Sequence, residues 1–166
     1  MPFRFNLSHT EALVSCGVVL ETDIGVDVED THRITSSLEI AENFFSPQEV
    51  FDLSRLSEDA QQDRFFDYWT LKESYIKARG MGLSLPLEHF SFDLGRSKNI
   101  DISFDQHLKD DPQNWRFWLL RPGPHHKAAV SVNSKGWKKY EILVRKMVPL
   151  SEIKPFECPI LRQSIV

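Results

Sequence analysis

The period of the apolar positions changes along the chain, and each change predicts an element. Phe3, Phe5 and Leu7 alternate with Arg4, Asn6 and Ser8, the two-residue period of a half-buried strand that stops at Ser8-His9-Thr10. Ala12 to Leu20 is a small and β-branched apolar run, which predicts a strand buried on both faces. Ile24-Gly25-Val26-Asp27-Val28-Glu29 predicts another short strand after an Asp-containing turn. The spacing then becomes helical. Ser36 to Phe45 carries apolar residues three and four apart, and Ser46-Pro47-Gln48-Glu49 combines an N-cap serine, a proline at the first helical position and a glutamate that completes a capping box. A longer helix opens at Ser57-Glu58-Asp59 and runs through Phe65, Phe66, Trp69, Leu71, Ile76 and Ala78, with Gly80 placed to end it as a left-handed cap.

After Gly80-Met81-Gly82 the period of two returns. Strands are predicted at His89 to Leu94, Ile100 to Phe104, Trp115 to Leu120, Ala128 to Val132 and Tyr140 to Val148. Strands, then helices, then strands make an α+β protein. Ser151 to Val166, with Pro155 and Pro159, reads as a loosely docked tail.

Composition narrows the function classes. The chain has 166 residues, 41% hydrophobic and 27% charged, as ordinary globular domains do. Twenty Lys and Arg against 24 Asp and Glu leave a net charge of -4, which lacks the basic field that captures nucleic acid. Two distant cysteines, Cys16 and Cys158, suggest neither a disulfide framework nor a zinc site, and a reducing cytoplasmic setting is expected. The longest apolar run is about half of the roughly 20 residues needed to cross a bilayer, so no membrane span or export signal is predicted.

The candidate chemistry lies in charged residues beside apolar stripes. Asp27 and Glu29, two apart on a strand, project from one face and can converge on a hard cation such as magnesium; a solvated strand face is the plainer reading. Glu73 and Lys77 share a helix face and form either a site or an ordinary helix pair worth about 0.2–0.5 kcal/mol. Ser8 and His9 at a strand end can donate to a phosphate or simply form a turn. His125 and His126 follow Pro122-Gly123-Pro124 and are read as exposed loop residues. Lys135, Lys138, Lys139, Arg145 and Lys146, with Trp137 among them, are either a lysine-protected strand edge or a patch for an acidic partner.

Taken in order, Phe5-Asn6-Leu7-Ser8-His9, Ile24 to Glu29, Phe44-Phe45-Ser46-Pro47-Gln48-Glu49, Trp69 to Lys77, and Gly80 to Leu87 with Phe90-Ser91-Phe92 resemble the successive motifs of the surfactin-synthetase-activating type of 4'-phosphopantetheinyl transferase. The resemblance implies that family's fold, an antiparallel sheet packed against a long helix and shorter helices. It also implies transfer of the phosphopantetheine arm of coenzyme A to a serine of an acyl or peptidyl carrier protein, with release of adenosine 3',5'-bisphosphate. By resemblance, Asp27, Glu29 and Glu73 would hold magnesium, with manganese an alternative. Glu73 would take the serine proton, directly or through a metal-bound water. Lys77 would offset charge on the leaving phosphate and, with Ser8 and His9, contact the coenzyme A phosphates. Lys72, pointing away from Lys77, is open to a supporting or packing role.

Members of this type have two similar lobes, and the serine–histidine motif belongs late in the first. Here it begins at Phe5, so residues 1–21 are expected to be the last strands of an N-terminal lobe, 22–150 the catalytic lobe and 151–166 the tail. Most of the first lobe, with its groups for the adenine and 3'-phosphate, is expected to be absent. A monomer or a small homo-oligomer is expected, with carrier protein and coenzyme A as partners and neither nucleic acid nor membrane. Two rivals are a magnesium-dependent phosphohydrolase using the same acids on water, and a module that binds the carrier protein without coenzyme A.

Overall fold

The computed structural model describes residues 2–33, 36–95, 98–135 and 139–165, without the side chain of Leu83. Its centre is a 22-residue helix. The elements in order are β1 (Phe3–Thr10), β2 (Leu13–Leu20), β3 (Ile24–Asp30), α1 (Ser37–Phe44), α2 (Pro47–Ser54), α3 (Glu58–Arg79), β4 (Phe90–Asp93), β5 (Asp101–Phe104), β6 (Trp115–Gly123), β7 (His126–Asn133), β8 (Arg145–Val148), β9 (Glu152–Pro155) and β10 (Ile160–Gln163). An antiparallel sheet in the order β10-β6-β7-β3 packs one face on α3, and β1–β2, β4–β5 and β8–β9 pair separately.

Local chemistry explains the helices. Ser46 and Glu49 form the reciprocal capping box at α2, with Pro47 in its first turn. Gly80 ends α3 at φ 64°, a left-handed conformation that costs glycine little. The second half of α3 is buried nearly all round because layers lie on both sides of it. One side carries Phe117, Leu119 and Ala129 of the sheet; the other carries Phe45, Leu53, Phe90 and Phe92. The sheet's opposite face forms a second cluster of Val26, Val28, Trp118, Leu120 and Val132, covered by Leu13, Val19, Tyr140, Ile142 and Val144.

Helix α3 crosses β3 at very short range. A Cβ added at Gly25 would lie 1.9 Å from the Ser74 carbonyl oxygen, so only glycine permits this approach. Beside it the Ser74 and Ser131 hydroxyls share a 2.6 Å hydrogen bond between α3 and β7. The hairpin β1–β2 leans on β3 from outside. Its side chains satisfy the edge of β3: Val26 N donates to Asn6 Oδ1 at 2.9 Å and Val28 N to Ser8 Oγ at 3.2 Å.

Three expectations are corrected. β2 buries no residue fully: alternate positions are half-buried, and the outer face of its hairpin exposes Phe3, Phe5, Leu7, Val14, Val18 and Leu20. The stretch Tyr140 to Val144 is not in a strand: Tyr140, Ile142 and Val144 alternate because they cover the second cluster, and only Arg145–Val148 pairs, with β9. The tail is not loosely docked as a whole, since Ile160–Gln163 joins the central sheet beside β6.

Candidate functional site

Gly25, Asp27 and Glu29 occupy one face of β3, and α3 covers that face. The alternation of Ile24, Val26 and Val28 into the second cluster turns the two acids toward the helix. Glycine at position 25 lets α3 come close enough for Lys77 to reach them. Lys77 Nζ lies 2.6 Å from Asp27 Oδ1 and donates to Ser8 Oγ and the Val26 carbonyl, both at 3.2 Å. Ser8, buried on β1, also donates to Asp27 Oδ1 at 3.0 Å. Asp27 Oδ2 is buried with no hydrogen-bond partner, an orphaned acceptor in an otherwise satisfied cluster.

The next acid outward is Glu29. Its Oε1 accepts from the Trp69 indole N–H at 3.2 Å and its Oε2 pairs with Arg33 at 3.3 Å. Glu73 stands half-buried on α3, one turn before Lys77. Burial pushes all three carboxyls above their ordinary values. The negative charge of Asp27 adds to the rise at Glu29 and Glu73, that of Glu29 adds further at Glu73, and Lys77 opposes all three.

Among the described residues no three His, Cys, Asp or Glu side chains converge closely enough to enclose a metal ion by themselves. The donor chemistry nevertheless suits magnesium. That ion keeps several waters, takes one or two protein carboxylates with substrate phosphates, and prefers oxygen, and Asp27 Oδ2 is an oxygen left over in the protein's own bonding.

The structure therefore brings together Ser8, Asp27 and Lys77 in contact, with Glu29 and Glu73 electrostatically coupled to them. It does not bring His9. That side chain is exposed on the opposite face of β1 from Ser8, beside the apolar surface of Leu7 and Phe5. His125 is exposed as expected and stacks on His32 at 3.6 Å, whereas His126 is half-buried in β7 with Nε2 3.2 Å from the Glu11 carbonyl oxygen. Lys135, Lys139, Arg145 and Lys146 are exposed, while Trp137 and Lys138 lie outside the described residues.

Sequence reasoning missed Asn6, Trp69, Arg33 and the second use of Glu49. Asn6 was legible as the residue two before Ser8, on the same strand face. Glu49 caps α2 and also forms a fully buried ion pair with Lys72 at 2.8 Å.

A family model described as the 4'-phosphopantetheinyl transferase superfamily matches residues 23–132, which hold the acids of β3, the three helices and most of β7. The chain belongs to that superfamily. It is similar to the 4'-phosphopantetheinyl transferase Sfp of Bacillus subtilis, 44% identical over 105 residues that make up 63% of this chain and 46% of that protein. It is also similar to the 4'-phosphopantetheinyl transferase HetI of Nostoc sp., 38% identical over 135 residues, 81% of this chain and 53% of that one. The chain thus spans about half the length of these relatives. In fold it resembles the crystal structure of Thermotoga maritima holo-acyl-carrier-protein synthase, with a TM-score of 0.54 at 16% identity over 76% of this chain and 70% of that one. No described helix is long and apolar enough to cross a membrane.

Proposed function

We propose that this chain carries the catalytic centre for moving the 4'-phosphopantetheine arm of coenzyme A onto a serine hydroxyl of an acyl or peptidyl carrier protein. The observation that carries the reading is the Lys77–Asp27 contact beside Glu73. It sets a fixed cation, an acid with a spare oxygen and a carboxyl of raised proton affinity on one face. Phosphoryl transfer asks a protein mainly to position groups and to offset developing charge.

In this reading the carrier serine Oγ attacks the β-phosphorus. The new O–P bond forms as the bond from that phosphorus to the bridging oxygen breaks, and adenosine 3',5'-bisphosphate leaves. Glu73, half-buried one turn before Lys77, accepts the serine proton. Lys77, held by Asp27, Ser8 and the Val26 carbonyl, meets the charge that grows on the leaving phosphate. Asp27, Glu29 and Glu73 would hold magnesium or manganese, which supplies positive charge against the pyrophosphate oxygens. Trp69 and Arg33 fix the Glu29 carboxylate from two directions. A cytoplasmic setting accords with the substrates.

The placement of His9 favours a second reading for the chain by itself. His9 is exposed on the face of β1 opposite Ser8, away from the Lys77–Asp27 contact, and in that second reading the chain is a module that binds the carrier protein without coenzyme A. Both readings, and hydrolysis, separate in one assay that follows adenosine 3',5'-bisphosphate. Release that needs apo carrier protein supports transfer, release without carrier marks a phosphohydrolase, and no release with retained carrier binding marks the binding module.

A further inference from the structure

Glu73 sits between two anchors of α3 on neighbouring residues. On one side Ser74 abuts Gly25 and shares its hydroxyl hydrogen bond with Ser131. On the other side Lys72 is wholly buried. Its Nζ lies 2.8 Å from Glu49 Oε2 and donates to the Leu87 and Phe90 carbonyls at 2.7 and 2.6 Å, which uses all three of its N–H groups. The ammonium also lies 4.3 Å from the centroid of the Phe90 ring. Glu49 is equally saturated: Oε2 accepts from Ser46 N and Oγ at 3.1 and 3.0 Å, and Oε1 accepts from Phe92 N at 2.9 Å. One ion pair therefore ties the α1–α2 junction, α2, the middle of α3 and β4 together.

Stability is a weak reason for such a pair. Burial lowers the proton affinity of Lys72, opposed by the Glu49 charge, and well-packed neutral residues often match a buried pair in stability. A pair that meets several backbone groups at fixed angles is better suited to setting orientation. The roll of a helix decides where its side chains point, and about 100° separates Lys72 from Glu73 around the axis.

We infer that Glu49 and Lys72 are positioning residues that lock the roll of α3, so that Glu73 is presented to Asp27, Glu29 and the substrate. The inference deepens the reading given above and rests on it for the reaction, but not for the geometry. Neither residue touches the reacting atoms; they act through Glu73.

The test is the double variant Glu49→Gln with Lys72→Met, which removes both charges together and avoids stranding either one. Folding is checked by circular dichroism and thermal melting, and Mn2+ affinity is measured by calorimetry in the presence of coenzyme A, beside transfer kinetics. The expected result is a folded protein in which kcat falls about 10-fold or more and Mn2+ binds about 10-fold more weakly, the size of effect seen when supports of a metal site are lost. KM for coenzyme A rises as well, because Lys77 turns with the same helix and the metal meets the pyrophosphate oxygens. A folded double variant with the Mn2+ affinity of the wild type, at whatever level, overturns the inference. Wild-type chain that binds Mn2+ but transfers nothing contradicts the transferase reading alone, and the difference in Mn2+ affinity still decides the positioning. If the double variant does not fold, Glu49→Gln alone keeps the shape of the cap and removes the charge that holds Lys72. A loss of about 3-fold or more in Mn2+ affinity then supports the locked roll, and unchanged affinity overturns it.

Discussion

The Lys77 ammonium lies 2.6 Å from one oxygen of Asp27, while the other oxygen of that carboxylate is buried without a partner. The two residues are 50 positions apart in sequence. They meet because alternation on β3 turns Asp27 toward α3 and because Gly25 offers the helix no Cβ to collide with. Charge compensation at this contact is incomplete: burial still holds Asp27 above its ordinary proton affinity despite the lysine. A half-satisfied buried acid is costly to leave alone and well suited to a further cation.

Lys77→Met should therefore cost stability as well as transfer. It leaves Asp27, 6% exposed, without its counter-charge. The expected loss is about 1–3 kcal/mol by denaturant melting, with no detectable transfer. Adding Asp27→Asn should recover most of the stability and none of the transfer. A single Lys77→Met variant as stable as the wild type would contradict the stated role of the contact.

Glu73→Gln should abolish transfer and raise the melting temperature at neutral pH without added metal. Its folded-state proton affinity lies above the unfolded one, so the folded chain holds the proton more tightly and ionisation costs stability. That cost is absent below the ordinary carboxylate value, grows through the window up to the raised value, and is complete above it. The gain from Glu73→Gln should thus fade as pH falls through that window. Melting curves of the metal-free protein across pH check the sign.

Gly25→Ala should be among the most damaging small substitutions. Its methyl would meet the Ser74 carbonyl oxygen and the Ala78 backbone nitrogen, neither of which is the end of a flexible side chain. The backbone of α3 must move away, at a cost of about 3 kcal/mol. Loss of Lys77 and Glu73 alignment should follow, read as a fall in melting temperature together with a loss of kcat in the molecules that remain folded.

The outer face of β1–β2 should make the chain self-associate as its concentration rises. Phe5 and Val18 are opposite each other in the ladder and 67% and 59% exposed. Phe5→Thr with Val18→Thr keeps strand propensity and removes the apolar pair, so light scattering should show a lower mean mass at equal concentration. Equal masses would contradict the assignment of this face as the sticky one.

Much of this arrangement is legible in the sequence wherever the determinant is local. The capping box at Ser46 and Glu49, the left-handed stop at Gly80 and the one-sided alternation of β3 each depend on neighbours within a few residues. That Asp27 and Glu29 share one face of β3, and Glu73 and Lys77 one face of α3, follows from those periods, while their roles came from the resemblance of the motifs. What stays hidden depends on partners far along the chain. Alternation at Tyr140, Ile142 and Val144 reports burial and not a backbone ladder. Ile160–Gln163 is short and beside prolines, and it becomes a strand only because β6 offers an open edge. The small, β-branched run of β2 suits a core strand equally well, and only tertiary placement leaves alternate residues exposed. Glu49 announces its cap, but nothing near it announces Lys72.

The most direct measurement is the intact mass of an apo carrier protein incubated with this chain, coenzyme A and magnesium, with a chelator control and the Glu73→Gln variant in parallel. The account predicts a mass gain of one phosphopantetheine arm, on the carrier serine, that disappears with the chelator and with Glu73→Gln. A gain that survives Glu73→Gln, or a chain that binds magnesium and coenzyme A yet leaves the carrier unmodified, would contradict it.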